Sequence, residues 1–292
     1  MRDSKNIRLA LIGYPLGHSL SPMLHAYLLE SFGLHGEYQT FEIKSTDLPQ
    51  ALDWFKRQGF TGFNVTIPHK QTILNFLDEI HEDAGISGAA NTVLIRNEKL
   101  LGFNTDGLAF TLVLKKHGVD LAHKTAVVLG AGGAACAVLH QLICAGIQEI
   151  HLCNRTLSNA EELVKRILTT AQFSNIQAAE LNNPKNADAI KRAHILVNTT
   201  PLGMWPNTET TPFVFRDNSV RHLIVMDLVY NPVETTFLRM ARDAGAKIVD
   251  GLDMFILQGV EAMRIWSDRD VQIDLKKLRH YLKERLRTHG QN

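Results

Sequence analysis

The feature that most constrains this chain is an uncharged run from Thr125 to Gln148 that carries a cluster of small residues. The apolar stretch 126–129 leads directly into Gly130-Ala131-Gly132-Gly133-Ala134-Ala135, and the polar pair His140-Gln141 follows. Glycines and polar groups make the run a poor bilayer helix, so the pattern predicts a buried strand, a glycine turn and a helix. That order is typical of dinucleotide-binding α/β folds.

The residues of the glycine turn have separate predicted tasks. Gly130 allows the tight turn, Gly132 lets the backbone approach a pyrophosphate, and Ala135 stands where a third glycine usually lies. The helix that follows offers N–H groups and a positive dipole end to phosphate. A glycine-rich turn without a ligand is the alternative, but the strand before it and the helix after it favour a cofactor.

The end of the next predicted strand, Glu149 to Cys153, indicates which dinucleotide binds. NAD-binding folds commonly carry an acidic residue there, which holds the ribose 2′-hydroxyl. This chain has Asn154-Arg155-Thr156 instead. A guanidinium with neutral donors beside it suits a 2′-phosphate, so the sequence predicts NADP(H) as the cofactor. A solvated surface charge is the alternative interpretation of Arg155.

Length and composition limit the remaining possibilities. A chain of 292 residues can form two domains. Its net charge of +1 creates no strong field for nucleic acid or an anionic membrane, so we expect a small-molecule partner. The pattern does not choose between a monomer and a homodimer, and we expect one of the two. Three cysteines without a Cys-x-x-Cys pair predict free thiols, no metal site and a reducing, cytoplasmic location. The apolar stretch Leu9–Ile12 is too short for a signal sequence.

Strand and helix patterns alternate along the chain, which predicts an α/β protein with two domains and mainly parallel sheets. We expect residues 1–107 to form the first domain and residues 108–251 the second. In the first half the predicted strands are Arg8 to Gly13, Glu37 to Ile43, Gly62 to Ile67, Asn91 to Ile95 and Leu100 to Phe103, and the predicted helices begin at Pro22, Thr46 and Gln71, the last reaching Ile80.

The second half repeats the alternation. Its predicted strands are Ala126 to Leu129, Glu149 to Cys153, Ile195 to Asn198, Leu223 to Asp227 and Lys247 to Val249. A capping box at Ser158-Asn159-Ala160-Glu161 is expected to open the helix after Asn154. The stretch from Asp253 to Trp266 and beyond is predicted to be helical, and the pattern alone leaves open which half it packs on.

Three polar clusters lie at strand ends or turns of the first half. The first is His18-Ser19-Leu20-Ser21-Pro22, where the two serine hydroxyls can both face a carboxylate; Ser21 also suits the N-cap of the following helix. The second is the segment Asn64 to Lys70, in which alternation puts Asn64 and Thr66 on one face of the strand. Lys70 is expected at the start of a helix, where the positive dipole end disfavours it and so suggests a functional role.

The third cluster comprises Asn91-Thr92 and Asn104-Thr105-Asp106-Gly107. An aspartate beside Lys70 would hold the ammonium group and help it carry a proton, which gives Asp106 a functional interpretation. The alternative is a local turn in which the Asp106 side chain accepts a hydrogen bond near Gly107.

Together these segments resemble the shikimate dehydrogenase family. The matching stretches run in one order through nearly the whole chain: Gly17 to Pro22, Asn64 to Lys70, Ala90 to Thr92, Gly102 to Gly107, Gly130 to Ala134, Asn154 to Thr156, Asn198 to Met204, Asp227 to Pro232, and Gly251 to Met254 with Gln258. The resemblance implies an N-terminal α/β substrate domain with a mainly parallel mixed sheet, completed by C-terminal helices 252–292, and a Rossmann-type NADP-binding domain.

The resemblance also implies an activity and a set of residues. The activity is reversible, NADPH-dependent reduction of 3-dehydroshikimate to shikimate, a step of aromatic amino-acid biosynthesis, with Lys70 and Asp106 as the catalytic pair. The substrate residues that it implies are Ser19, Ser21, Asn64, Thr66, Lys70, Asn91, Asp106, Tyr230 and Gln258. The cofactor residues are Gly130, Ala131, Gly132, Gly133 and Ala134 at the pyrophosphate, Asn154, Arg155 and Thr156 near the adenosine ribose, Leu228 and Gly251 by the nicotinamide, and Glu82 on the cofactor side.

One position departs from the family pattern. A second basic residue often stands three positions after Thr156, where this chain has Asn159. With one guanidinium at the 2′-phosphate, some use of NAD becomes plausible. The alternatives are therefore an enzyme that acts on quinate as well, or with both cofactors, and a non-catalytic nucleotide-sensing protein of the same fold. Ser21 resembles shikimate-selective members, and the presence of Lys70 and Asp106 argues for turnover.

Overall fold

A computed structural model of the chain describes residues 6–17, 19–171, 173–215 and 220–289; His18 of the first polar cluster lies outside these ranges. The protein is α/β, as predicted, and divides into two compact units. The first unit comprises residues up to Leu108 together with residues from Ile256 onward, and the second comprises Ala109–Phe255. None of the described helices is long and apolar enough to cross a bilayer.

The first unit contains a mixed sheet. Its strands are β1 (Ile7–Gly13), β2 (Gly36–Glu42), β3 (Gly62–Val65), β4 (Glu79–Ile80), β5 (Thr92–Arg96) and β6 (Lys99–Phe103), in the spatial order β2-β1-β3-β5-β6-β4. β1 pairs in parallel with β2 and β3, and β4 with β6, whereas β5 runs antiparallel to both of its neighbours. The two strands predicted at Asn91 to Ile95 and Leu100 to Phe103 form the hairpin of β5 and β6, and Asn97 and Glu98 form its turn with positive φ.

The helices of this unit are α1 (Ser21–Ser31), α2 (Leu48–Arg57), α3 (Glu82–Ser87) and α10 (Leu275–His289). The domain boundaries fall inside two further helices, α4 (Thr105–Lys116) and α9 (Leu252–Ser267). The core on one face of the sheet is rich in aromatic side chains, with Phe55, Phe60 and Phe63 all buried. Phe55 and Phe60 meet edge to face at 4.8 Å between ring centroids, the arrangement that the aromatic quadrupole favours.

Two local predictions for this unit are wrong. Ser21 does not cap α1, because Leu20 occupies the N-cap with helical dihedrals and Ser21 is already the first helical residue. The predicted helix from Gln71 to Ile80 is instead a 3₁₀ helix at Thr72–Phe76 followed by β4. Asp78 exchanges hydrogen bonds with Leu100, donating from its N–H at 3.0 Å and accepting through Oδ2 at 2.7 Å, so pairing with the open edge of β6 prevails over the helix.

The second unit contains a sheet whose described strands are all parallel. They are β7 (Thr125–Leu129), β8 (Glu149–Asn154), β9 (Ile176–Glu180), β10 (Ile195–Asn198), β11 (Ile224–Asp227) and β12 (Lys247–Val249), in the order β12-β11-β10-β7-β8-β9. Its helices are α5 (Gly133–Cys144), α6 (Leu157–Thr170), α7 (Asn186–Arg192) and α8 (Thr236–Asp243). The strand order reverses between β7 and β10, which is the Rossmann-type arrangement that the glycine turn predicted.

Two features of this unit differ from the sequence expectation. The predicted capping box is wrong, because α6 begins at Leu157 with Thr156 as its N-cap residue. Ser158 and Asn159 therefore lie inside the first turn. The prediction also lacked β9 and α7. β9 is an edge strand with only Ile176 fully buried, so it carries no apolar run by which a central strand is recognised.

Close packing between Gly62 and Trp266 attaches the end of α9 to the first sheet. The indole Nε1 donates a hydrogen bond to the carbonyl oxygen of Val93 at 2.9 Å. A Cβ at Gly62 would lie 2.3 Å from both of these atoms. Gly62→Ala should therefore lower the free energy of unfolding by about 1–3 kcal/mol, measured by urea denaturation, because an extra methyl overpacks a filled site.

Gly85→Ala in α3 is the matched control for this substitution. A Cβ there meets only Ile80, at an ordinary contact distance of 3.6 Å. Alanine also favours a helix over glycine, so we expect unchanged or slightly higher stability. Equal losses in the two variants would contradict the packing explanation.

Candidate active site

The polar clusters of the first unit meet at one edge of its sheet. Leu11 of β1 pairs with Asn64 of β3, Asn64 pairs with Thr92 of β5, and Thr92 pairs with Phe103 of β6. The carboxyl ends of β1, β3 and β6 and the start of β5 therefore lie side by side. Ligands of open α/β sheets bind at such an edge, so the register assembles a candidate site from segments far apart in sequence.

Lys70 and Asp106 form an ion pair at this edge. Lys70 Nζ lies 2.6 Å from Asp106 Oδ2, and the side chains are only 17% and 9% exposed. Lys70 is not at the start of a helix, as the sequence analysis expected, but in a turn before the 3₁₀ helix, where its carbonyl oxygen accepts a hydrogen bond from Ala90 N–H at 2.8 Å. Lys70 therefore does not face a helix dipole, and the ion pair itself gives Lys70 its chemical interest.

Asn91 supports the ion pair from the other side. Its Nδ2 donates to Asp106 Oδ1 and to Thr105 Oγ1, both at 2.9 Å, and its Oδ1 accepts from Thr105 N–H at 2.8 Å. Gln258 from α9 brings Oε1 to 3.5 Å from the same Nδ2. Asp106 therefore has each carboxylate oxygen held by a different partner, which fixes its orientation toward Lys70.

The local turn that the sequence analysis offered as an alternative for Asp106 forms around another residue. Gly107 N–H donates to Asn104 Oδ1 at 3.2 Å, and Asn104 Nδ2 donates to Ala89 O at 2.8 Å. Because Asn104 supplies the acceptor at the start of α4, the carboxylate of Asp106 remains directed at Lys70 and Asn91. A negative side chain in the first turn of α4 is also favoured by the helix dipole.

Asn64 is oriented by a residue that the sequence analysis lacked. Tyr38 donates its hydroxyl hydrogen to Asn64 Oδ1 at 2.8 Å, which leaves Asn64 Nδ2 to donate to Asn91 O at 3.2 Å and Thr92 Oγ1 at 3.1 Å. The Tyr38 ring stacks on His25 with 4.2 Å between ring centroids, and burial lowers the pKa of His25 to about 3. A neutral stack therefore positions Tyr38. The sequence signal for Tyr38 was only the alternation within β2. Such alternation does not single out a catalytic residue type, so it did not indicate Tyr38.

The other predicted substrate residues divide between the two units. Ser19 Oγ lies 3.1 Å from Ser21 Oγ and accepts from Ser21 N–H at 3.2 Å, so the two hydroxyls are adjacent, as the sequence suggested. Thr66 follows β3, and its N–H donates to Ile12 O at 2.9 Å. Tyr230 belongs to the second unit, where its ring stacks on Phe255 at 4.0 Å between centroids.

The glycine turn of the second unit has the conformation and the space that a dinucleotide needs. Gly130 has φ of +108°, and a Cβ there would lie 2.6 Å from Thr199 Oγ1. At Gly132, the N-cap of α5, a Cβ would meet nothing within 4 Å, and no described side chain caps the helix. Open space before uncapped helical N–H groups fits a pyrophosphate. Ala131, Gly133 and Ala134 are half-buried around it.

The predicted ribose residues follow β8. Asn154 Nδ2 donates to Thr156 O at 2.8 Å, which shapes the turn. Arg155, Thr156 and Asn159 are exposed and hence accessible to a phosphate. Glu82, the residue expected on the cofactor side, is the exposed first residue of α3 and belongs to the first unit.

Leu228 and Gly251 pack together beside a buried carboxylate. A Cβ on Gly251 would lie 2.7 Å from Leu228 O and 2.8 Å from Asp227 O, so only glycine fits against this backbone. Asp227 is fully buried and accepts hydrogen bonds from Asn198 Nδ2 at 2.9 Å, Val229 N–H at 3.0 Å and Thr235 Oγ1 at 2.6 Å. Burial raises the pKa of the Asp227 carboxyl to about 7, although these hydrogen bonds oppose the shift.

This raised pKa makes the stability of the protein depend on pH. The ordinary value is 3.8, so between about pH 4 and pH 7 the native carboxyl keeps a proton that the unfolded chain releases. The contribution of Asp227 is complete below pH 4 and declines as the pH rises to 7, by about 1.4 kcal/mol per pH unit at most. Asn mimics the protonated acid, so Asp227→Asn should gain stability relative to the native protein over this range.

Chemical denaturation at pH 5, 6, 7 and 8 measures this difference. We expect the free energy of unfolding of Asp227→Asn, minus that of the native protein, to increase up to about pH 7 and then to level. A difference that stays constant with pH would show that Asp227 is ionised throughout. Asn186→Asp at a buried position of α7 is a useful comparison, because it introduces a carboxyl beside the Glu180 and Leu181 carbonyl oxygens to which Asn186 Nδ2 now donates.

Two family models match the chain, one in each unit. The shikimate dehydrogenase substrate binding domain matches residues 11–93, and the shikimate/quinate 5-dehydrogenase model matches residues 111–204. A shikimate dehydrogenase (NADP(+)) of Methanocaldococcus jannaschii is 38% identical over 95% of this chain and 97% of its own length.

Solved structures are similar over almost the same extent. Shikimate 5-dehydrogenase from Thermus thermophilus in complex with NADP(H) and shikimate is 35% identical, with 96% of this chain and 99% of that chain covered and a TM-score of 0.81. Quinate dehydrogenase from Corynebacterium glutamicum in complex with NAD is 31% identical, with 94% and 98% covered and a TM-score of 0.82. The relatives match almost the whole chain, through both units, and the chain therefore belongs to the shikimate dehydrogenase family.

Proposed function

We propose that this chain is an NADP(H)-dependent shikimate dehydrogenase that interconverts 3-dehydroshikimate and shikimate. The observation that carries the proposal is the Lys70–Asp106 ion pair, which Asn91 holds at the strand edge of the substrate unit. An oxidoreductase acting on a secondary alcohol needs such a proton carrier beside the carbon that is oxidised. The glycine turn and Arg155 supply the matching sites for a dinucleotide with a 2′-phosphate.

The side chains at the edge have distinct roles in the reaction. When bound, NADPH supplies the hydride that reduces the ketone. Lys70 Nζ hydrogen-bonds the ketone oxygen, stabilises the negative charge that develops there and delivers the proton; in the oxidation direction it removes the proton from the hydroxyl. Asp106, fixed by Asn91, holds Nζ in position and accepts a hydrogen bond from a neighbouring substrate hydroxyl.

The remaining residues bind and orient the substrate. The adjacent hydroxyls of Ser19 and Ser21 donate to its carboxylate. The other proposed contacts, to the carboxylate and the ring hydroxyls, come from Asn64, Thr66, Asn91, Tyr230 and Gln258. A site built from so many hydrogen-bonding groups discriminates against analogues that leave one of them unpaired.

A second candidate is dual use of quinate or of NAD. It is favoured by Asn159, which leaves a single guanidinium in the exposed stretch 154–159. Initial rates with shikimate and quinate, each with NADP⁺ and NAD⁺, separate the two candidates. We expect the highest kcat/KM with shikimate and NADP⁺. A higher value with quinate would establish the second candidate, and absence of turnover with both acids would overturn the proposed function.

We also propose that the enzyme works in a reducing compartment, the cytoplasm, as a monomer or homodimer with small-molecule partners and without nucleic acid. Cys136, Cys144 and Cys153 are all free thiols, and two of them are buried, which suits reducing conditions. Size-exclusion chromatography with light scattering would determine the oligomeric state.

Substitution of Lys70 tests its role in proton transfer. Lys70→Ala should lower kcat by about 10²–10⁴-fold, the usual contribution of a general acid–base group, and leave the Kd of NADPH unchanged. The matched control is Lys99→Ala, which removes an exposed lysine of the same unit that pairs with Glu79 at 2.8 Å. Lys99→Ala should retain full activity. A near-normal kcat for Lys70→Ala would exclude Lys70 from the chemistry.

Two substitutions after β8 should change the cofactor preference in opposite directions. Arg155→Ala removes the guanidinium and should reduce the ratio of NADP⁺ to NAD⁺ kcat/KM about tenfold, the loss of one charge-assisted contact. Asn159→Arg adds a second cation on the same exposed turn of α6 and should raise the ratio. Arg192→Ala, an exposed arginine that ends α7, is the control. Unchanged ratios in the first two variants would contradict a 2′-phosphate site at this turn.

A further inference from the structure

The strand order of the second unit determines which loops face each half of a bound dinucleotide. The glycine turn follows β7, and the proposed ribose turn with Arg155 follows the neighbouring β8. If the pyrophosphate lies at β7 and the adenosine side at β8, the nicotinamide half extends the other way, over the carboxyl ends of β10 and β11. The loops that begin at Asn198 and Asp227 are therefore the ones that contact it.

These two loops are joined by a buried polar cluster, which we define as Asn198, Asp227 and Thr235. All three residues are fully buried. Asn198 ends β10 and Asp227 ends β11, at the same register position of the two strands. Asp227 accepts from Asn198 Nδ2 at 2.9 Å through Oδ1 and from Thr235 Oγ1 at 2.6 Å through Oδ2. One carboxylate thus connects both loops.

Each member of the polar cluster also shapes its own loop. Asn198 Oδ1 accepts from Thr200 N–H at 3.0 Å and from Thr200 Oγ1 at 2.7 Å, which turns the first loop. Asp227 Oδ1 accepts from Val229 N–H at 3.0 Å, which turns the second. Thr235 caps α8 by accepting from Leu238 N–H at 3.2 Å. The side-chain hydrogen bonds of the cluster therefore fix the backbone conformation at the start of both loops.

The cluster also determines the position of Gly251. The second loop passes so close to this glycine that a Cβ would lie 2.7 Å from the carbonyl oxygens of Leu228 and Val229. Displacement of Val229 would move these carbonyl groups and, with them, the exposed side of Leu228. A shift in the second loop is therefore transmitted to the surface over β11.

We infer that the polar cluster is a positioning device for the nicotinamide half of the cofactor: Asp227 holds the loops after β10 and β11 in the arrangement that this half requires. The inference rests on the proposed function only in that the cofactor is NADP(H). It assigns a task to Asn198, Asp227 and Thr235, which the proposed substrate and pyrophosphate sites do not use. Asp227 does not touch the reacting atoms and acts through Leu228 and its neighbours.

The test compares two ligands that share the adenosine half. NADPH carries the nicotinamide, whereas 2′,5′-ADP carries the 2′-phosphate and adenosine without it. Kd values are measured by titration calorimetry, with no substrate present. Asp227→Ala should raise the Kd of NADPH about tenfold or more, because several buried hydrogen bonds that fix a binding loop are lost. The Kd of 2′,5′-ADP should change less than about twofold.

Conservative and control variants complete the design. Asp227→Asn keeps Oδ1 as an acceptor and can donate to Thr235, so it should restore NADPH binding to within about threefold of the native value. Asn186→Ala removes a buried amide that holds the loop after β9, where its Nδ2 donates to Glu180 O and Leu181 O. This control should leave the ratio of the two Kd values unchanged. If Asp227→Ala does not fold, Thr235→Val removes a single link of the cluster and should produce the same selective loss to a smaller degree.

The outcomes are distinct. Selective weakening of NADPH in Asp227→Ala or Thr235→Val, with recovery in Asp227→Asn, supports the inference. Equally weaker binding of both ligands would show that the cluster has only a structural role. Unchanged binding of both would show that the cluster does not affect the cofactor site. Either result overturns the inference. Because no substrate is present, a failure of shikimate turnover would overturn the proposed function without affecting this measurement.

Discussion

The ion pair between Lys70 and Asp106 depends on three strands being neighbours. Lys70 follows β3, Asp106 follows β6, and Asn91, which fixes the carboxylate, precedes β5 between them. Removing two charges from water is costly, and a largely buried pair persists only when further hydrogen bonds satisfy it. The amide of Asn91, which donates to Asp106 Oδ1, meets this requirement. The chemistry of the first unit is therefore a property of the strand order, and no single segment carries it.

At the edge of the second sheet, the polar groups are hydrogen-bonded to one another in one place and left open in another. Asn198, Asp227 and Thr235 are buried and hydrogen-bonded to one another, so they have little capacity left for a ligand. The N-terminus of α5 lacks a described side-chain cap, and Gly132 faces open space. Satisfied groups position loops, whereas open donors bind ligands. This contrast, more than the glycine motif alone, distinguishes the glycine turn, which has open donors, from the polar cluster, which holds its neighbouring loops.

Sequence patterns predicted those elements whose signal is local. The parallel strand β10 was predicted with the observed bounds because a fully buried strand is a continuous apolar run. The bounds of β12 were also predicted, although only Val249 of this strand is buried. The starts of α1 and α6 were misplaced, since the N-cap residue is Leu20 and not Ser21 in α1, and Thr156 and not Ser158 in α6. The pairing of Glu79–Ile80 with β6, and the contacts of Tyr38 and Asp227, depend on tertiary register that no local pattern contains. The contact between Lys70 and Asp106 was predicted because an ammonium group that carries a proton needs an acidic partner.

The two proposed determinants of function, Arg155 and the Lys70–Asp106 pair, lie in unlike environments. Arg155 is exposed, so its contribution acts through water and is screened by salt within about 10 Å. Lys70 and Asp106 are largely buried and share Asn91 with the substrate edge, so a change at either disturbs several hydrogen bonds. Substitutions in the turn after β8 can therefore alter cofactor preference at little cost in stability, whereas the reaction chemistry admits few changes. Within one scaffold, the identity of the dinucleotide is the more variable property and the proton carrier the more constrained one.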